Sequence, residues 1–149
     1  MAQRYKNIDD EYQWALQTAA AVRAKDWEAI DRKALLNELE CSIAGGLRRE
    51  LVSLLREIIE ATLVLDYTTG DKVESNRQLT HAQGQLQLLL HSTPSLRDVI
   101  GKVITKAYQQ ARGNVTEDYG VQLPGRCTVS LERILEDPYD RAMSEEQSA

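Results

Sequence analysis

The chain has 149 residues and a formal net charge of −5; 42% of its residues are hydrophobic and 28% are charged. This length predicts one domain, 1–143, followed by a disordered polar tail, 144–149. The acidic balance disfavours nucleic acid and anionic lipid as partners. The charged N-terminus excludes a signal peptide, and no apolar run approaches the roughly 18 residues of a membrane span, so we expect a cytoplasmic protein.

Apolar residues recur at helical spacing along most of the chain. In the region 47–65 they step by four and three, which places them on one stripe of a helix. We therefore predict an all-α fold, a compact bundle of four to five main helices plus a short C-terminal helix. Because Phe is absent and aromatic residues are scarce, the predicted core anchors are two tryptophans and several aliphatic residues: Trp14, Trp27, Leu51, Leu54, Ile58, Leu86, Ile100 and Val103.

Two helices are predicted in the first third of the chain. The first starts near Asp9 or Asp10 and ends near residue 24, and a break follows around Lys25. The second covers 27–44, with a restart at Asp31 as an alternative, and turns inward the residues Ile30, Ala34, Leu36, Leu39 and Ile43. The pair Gly45 and Gly46 then predicts a turn or a kink.

Three longer segments and a short helix are predicted in the rest of the chain. Helices at 47–67 and 72–91 are separated by a turn, and the second carries many glutamines, for which exposure to solvent and packing of a partner helix are both open. A further helix begins after Pro94 and is predicted to end at Gly113. After a loop at 121–128, Thr128 or Ser130 caps a final helix that runs through Leu135.

No constellation with the spacing of a catalytic or metal site is found. The residues three before His81 and His91 are Gln78 and Leu88, so neither histidine belongs to the Glu-x-x-His motif of di-metal bundles. We expect the two histidines to point to different faces of their helix. Cys41 and Cys127 form no CxxC pair, and we expect reduced thiols. The sequence therefore predicts no catalytic residues, no cofactor and no metal.

Several segments resemble a known family when they are taken in order. They are, near the N-terminus, Tyr12, Trp14, Gln17, Val22, Arg23, Trp27, Ile30, Asp31, Leu35 and 37–40; in the middle, 94–96, Tyr108, Ala111 and Arg112; and near the end, Cys127, Leu131, Leu135 and 137–139. Over about 9–139 the chain is similar to the bacterial domain-of-unknown-function family 29. The resemblance implies an all-helical bundle without an established activity.

The chain departs from this family at one place. Its members carry a stretch similar to His-Leu-Leu-Lys-Trp late in the third helix, whereas residues 61–65 here read Ala-Thr-Leu-Val-Leu. If that stretch is a functional site in the family, this chain has lost it.

The interpretation that best fits these patterns is a non-enzymatic helical module for protein–protein interaction or regulation. Its partner is another protein or a second copy of the chain. The apolar stripe of the third helix motivates this, because adjacent pairs such as Leu54 with Leu55 widen it beyond a two-helix seam. One alternative is a nucleic-acid-associated accessory protein, which needs Arg23, Lys25, Arg32 and Lys33, or Arg48 and Arg49, on one face. The other is a small-molecule binder or unconventional enzyme using Cys127 or His91.

Overall fold

The fold of this chain is all-α. A computed structural model describes residues 10–138 and residue 140. It is 81% helical, and the described part contains no strand, which confirms the predicted fold class. The chain divides into an N-terminal unit, Met1–Gly46, and a C-terminal unit, Leu47–Ala149. The single domain at 1–143 stays a prediction, and the predicted tail at 144–149 lies outside the described residues.

The N-terminal unit opens with helix α1, Glu11–Arg23. The Asp10 side chain accepts hydrogen bonds from the amides of Tyr12 at 2.9 Å and Gln13 at 3.4 Å, which satisfies two of the donors that begin a helix. The helix ends where Lys25 adopts a left-handed conformation, φ 55°, and the Asp26 amide reaches back to the Ala21 carbonyl at 2.9 Å. Both the predicted start at Asp10 and the break at Lys25 are confirmed; Asp9 lies outside the described residues.

The predicted helix at 27–44 is three consecutive pieces. A 3₁₀ turn, Trp27–Ala29, precedes α2, Arg32–Asn37, and a π-helical segment follows at Glu38–Ala44. The Asp31 carboxylate caps α2 by accepting from the Ala34 amide at 3.1 Å, which confirms the predicted restart.

Of the turn or kink predicted at Gly45 and Gly46, the turn is wrong and the kink stays a prediction. Helix α3, Gly45–Tyr67, begins with these glycines, and Gly45 has ordinary right-handed helical angles, φ −64° and ψ −37°. Glycine permits a turn but does not impose one. Placing a glycine inside a helix costs about 1 kcal/mol of stability, which is small compared with the free energy gained when the rest of α3 packs into the core.

In the C-terminal unit, α3 is followed by α4, Lys72–Ser92, by α5, Arg97–Tyr119, and by the short α6, Leu131–Ile134. A 3₁₀ turn, Pro94–Leu96, leads into α5. The predicted end of α5 at Gly113 is wrong, because the helix continues to Gly120, whose φ of 65° terminates it. The cap of α6 is Ser130, whose hydroxyl accepts from the Arg133 amide at 3.2 Å, one of the two predicted alternatives.

The core of the C-terminal unit surrounds α3. Four consecutive residues, 61–64, are all buried, so this helix is covered on every side at that level. Leu55, Ile58 and Ile59 are also fully buried, and Leu54 is packed against the core. The wide apolar stripe that suggested a partner surface on α3 is therefore used inside the C-terminal unit.

A segment after α5, residues 121–135, packs back onto the three long helices. The buried Gln83 donates its amide to the Arg133 carbonyl at 2.8 Å, and Gln87 donates to the Leu135 carbonyl at 2.7 Å. The Tyr108 hydroxyl donates to the Pro124 carbonyl. Burial of Tyr108, and to a lesser degree the nearby Cys127, raises the pKa of the tyrosine above its usual value.

An ion pair adds a further tie between this segment and α3. The Arg133 guanidinium lies 2.9 Å from the Asp66 carboxylate, with both side chains partly open to solvent. Such a pair contributes at most about 1 kcal/mol. None of the helices in the described part of the chain is both long and apolar enough to cross a membrane.

Candidate functional site

Metal-ligating side chains do not cluster in the part of the chain that the structure describes. It contains no cluster of three or more His, Cys, Asp or Glu side chains that would hold a metal ion. Cys41 and Cys127 are thiols, and the Cys127 sulfur lies 3.6 Å from the Val129 carbonyl within its own loop. Two grooves on the surface of the described chain are the candidate sites.

The N-terminal unit has almost no core. Among its described residues, Ala21 is the one that is buried. Seven of its large apolar side chains are about half exposed or more: Tyr12 72%, Leu16 53%, Val22 45%, Trp27 54%, Leu36 54%, Leu39 48% and Ile43 53%. An isolated exposed apolar residue is ordinary, but seven in so short a unit indicate a surface that lacks its cover.

Two predictions about this unit are corrected by that exposure. Trp27 is not a core anchor, and the stripe of Leu36, Leu39 and Ile43 does not face a core. The helical period correctly groups these positions, but no other element of the N-terminal unit is placed to cover them. The sequence does carry a signal for this exposure, which the predictions missed. The N-terminal unit has many large apolar residues for so short a stretch of chain, more than two short helical stretches can bury between them.

A groove of about 480 Å³, here called the N-terminal groove, lies between α1 and the second helical stretch of the same unit. One wall is the α1 face that carries the half-buried Trp14, predicted as a core anchor. The other wall is formed by α2 and the π-helical segment. Its lining is mainly apolar and small: Trp14, Ala15, Thr18, Ala19, Val22, Arg23, Leu35, Glu38, Leu39 and Ile43. Apolar lining at helical spacing suits a second amphipathic helix.

A larger groove of about 960 Å³, here called the α4 groove, runs along the outer face of α4 in the C-terminal unit. Its lining comes from α4, from the start of α5 and from the end of the described chain: Asn76, Arg77, Thr80, His81, Gly84, Gln85, Gln87, Leu88, Leu90, His91, Pro94, Arg97 and Asp137. Both histidines line it, so the prediction that they point to different faces is wrong. Ten residues at 100° each leave them only about 80° apart around the helix, within one broad face.

The glutamines of α4 divide between two roles. Gln83 and Gln87 hold the carbonyls at the end of α6, whereas Gln85 is exposed along the α4 groove. Part of the glutamine-rich surface is therefore covered by the chain's own C-terminal segment, which was neither of the two sequence interpretations.

The remaining predicted core anchors all lie in the C-terminal unit. Leu51, Ile58, Leu86 and Ile100 are at most 3% exposed and belong to the core cluster. Leu54 and Val103 are partly buried and packed against it. These residues position the helices that form the α4 groove, and they do not line it.

Comparison with protein families gives one match, which covers most of the chain. The model of the family described as Domain of unknown function DUF29 matches residues 7–140. This chain belongs to DUF29. No curated protein and no solved structure matches it.

The stretch at which this DUF29 member departs from the expected family pattern lies in its core. Residues 61–64 are buried, and Leu65 is partly buried. The side chains present here are small or aliphatic, apart from Thr62, whose hydroxyl donates to the Ile58 carbonyl at 2.8 Å. In this DUF29 chain the stretch serves packing and offers no surface for a ligand.

Proposed function

We propose that this DUF29 protein is a non-enzymatic, cytoplasmic interaction module that associates with a second copy of itself through its N-terminal unit. The observation that carries this proposal is the seven half-exposed apolar side chains in a unit with a single buried residue among those described. Domains below about 40 residues need disulfides, metals or oligomerisation for stability. The N-terminal unit, Met1–Gly46, is close to that size.

A second copy is the occupant that the unit's own shape favours. Each copy supplies a pair of helical stretches separated by an apolar groove, and two such pairs form a four-helix arrangement with one shared core. A symmetric interface must also be self-complementary in charge. The N-terminal groove meets this requirement, because Arg23 stands on its α1 wall and Glu38 on the opposite wall. A two-fold axis brings Arg23 of one copy to Glu38 of the other.

Burial of the groove's apolar side chains supplies the driving force. Covering a large aliphatic side chain completely contributes roughly 1.5–3 kcal/mol, so a half-exposed one contributes on the order of 1 kcal/mol. Val22, Leu39 and Ile43 are all about half exposed in the groove, and each counts twice in a symmetric pair.

Sedimentation velocity of the full chain across a wide concentration range tests this proposal. We expect a concentration-dependent dimer that Leu39→Glu weakens at least about tenfold, because an interface that buries an unpaired charge loses well over 1.4 kcal/mol. The matched control is Val73→Glu, which places the same charge on α4 at a position that is 81% exposed. This control should leave the dimer unchanged.

A charge exchange tests the proposed symmetry. Arg23→Glu and Glu38→Arg should each weaken the dimer, and the double variant should recover most of the loss. A chain that stays monomeric at every concentration contradicts the proposal. So does an association that Leu39→Glu and Val73→Glu affect equally.

A further inference from the structure

The α4 groove differs from the N-terminal groove in its chemistry. It follows α4 from Arg77 to His91, which at 1.5 Å per residue is about 21 Å. Most of its lining side chains are exposed, so it is an open trough along a helix and not an enclosed pocket. A compact small molecule would leave most of its surface in water there, whereas an extended peptide of about six or seven residues matches the length.

Basic and imidazole side chains are spread along this trough. Arg77 and His81 lie towards one end, and His91 and Arg97 towards the other. The Glu74 carboxylate holds the Arg77 guanidinium at 2.8 Å through an i, i+3 pair on the surface. On a chain whose net charge is −5, the lining carries two arginines against the single acidic residue Asp137, which is a local exception to the overall charge.

An apolar side chain lies between these groups. Leu88 is 64% exposed on α4, and Pro94 also lines the groove. Asp137 contributes a carboxylate to the lining from the end of the described chain. The trough therefore offers cationic groups towards both ends and an apolar contact in between.

We propose that the α4 groove binds an acidic peptide segment of a partner protein. Carboxylates of the peptide reach Arg77 and Arg97, and an apolar side chain between them covers Leu88. Arginine suits this role because its planar guanidinium binds carboxylates through two parallel hydrogen bonds. None of the described lining residues is Phe, Tyr or Trp, so the groove offers single-stranded nucleic acid no large aromatic side chain on which to stack.

Fluorescence anisotropy of the full chain tests this site directly. The probe is a fluorescein-labelled heptapeptide with glutamates on both sides of a central leucine, and the comparison peptide has glutamine at each glutamate position. We expect saturable binding of the glutamate peptide that weakens as salt rises, and at least about tenfold weaker binding of the glutamine peptide, since charge-assisted contacts are lost. This comparison uses the unaltered protein and does not depend on how any variant folds.

Variants then locate the site. The double variant R77E/R97E should weaken binding of the glutamate peptide at least about tenfold, because two attractive contacts become repulsive. The control K102E/K106E makes the same change in net charge at two exposed lysines of α5 that do not line the groove. It should leave binding within about twofold of the unaltered chain, because neither lysine lines the groove and salt at 0.1 M weakens interactions between separated exposed charges.

Three results would overturn the proposal. They are equal binding of the glutamate and glutamine peptides, an equal loss with R77E/R97E and K102E/K106E, and tighter binding of an oligouridine than of the glutamate peptide. The last result would make the groove a nucleic-acid site. Because none of these variants lies in the N-terminal unit, the outcome is independent of self-association there.

Discussion

Gln83 gives a sharp test of how the C-terminal segment is held. The side chain is 2% exposed and donates its amide to the Arg133 carbonyl at 2.8 Å, at the end of the short α6. Helix ends leave carbonyls without partners inside the helix, and α6 has only four residues. Replacing Gln83 by leucine keeps the approximate volume and removes this donor, so the Arg133 carbonyl keeps the longer bond from the Glu136 amide at 3.4 Å.

The expected cost of Gln83→Leu is about 1 kcal/mol, since a typical hydrogen bond contributes about 0.5–1.5 kcal/mol net. For a chain of this length that corresponds to a fall in Tm of about 2–4 °C. Chemical denaturation should show the loss, and hydrogen exchange should show faster opening of residues 121–135 than of α3. The matched control is Gln85→Leu, an exposed neighbour, which should stay within about 0.5 kcal/mol of the unaltered chain.

The reasoning about Gln83 would be refuted by a Gln83→Leu protein as stable as the unaltered chain. It would also be refuted if Gln85→Leu cost as much, because the effect would then come from adding an apolar residue to α4. Unchanged exchange at residues 121–135 would show that Tyr108 and the Asp66–Arg133 pair hold the segment without Gln83.

Two further predictions concern α5. The raised pKa of Tyr108 means that its contribution to stability is complete below the unfolded value of about 10 and is lost as pH rises through the folded pKa, so urea midpoints should fall in that range. Tyr108→Phe should cost about 1–2 kcal/mol at neutral pH, because the hydrogen bond to Pro124 is lost. The variant's urea midpoint should then fall less with rising pH than that of the unaltered chain, and an equal fall in both proteins would contradict this prediction. Gly113→Ala should raise stability by about 0.5–1 kcal/mol in thermal melts, because a Cβ there meets nothing within 4 Å inside a helix; a loss would indicate that α5 ends at Gly113 after all.

The patterns that sequence reasoning interpreted correctly are those that local chemistry decides. Asp10, Asp31 and Ser130 each cap a helix where a short polar side chain precedes an apolar period. The apolar stripe along α3 correctly identified Leu51 and Ile58 as core residues. A helix with so long an apolar stripe buries it against other elements when the protein folds.

The errors arose where tertiary context decides. A glycine by itself does not indicate whether a helix ends. The turn predicted at Gly45 and the helix end predicted at Gly113 are therefore both absent from the packed helices. Helical period places Leu36, Leu39 and Ile43 on one face but does not indicate whether anything covers that face. Likewise, Gln83 and Gln87 were identified as unusual, but their acceptors lie about fifty residues further along the chain.

The uneven distribution of buried residues has a consequence for how long the two units survive in a cell. The core cluster lies entirely between Leu51 and Ile134, whereas Ala21 is the one buried residue described before Gly46. Local opening of the N-terminal unit therefore requires little free energy, and proteases attack open segments first. The proposed second copy would cover the apolar face of this unit and protect it. Because more of the chain is paired at higher concentration, the rate of cleavage near Lys25 should fall as the protein becomes more abundant.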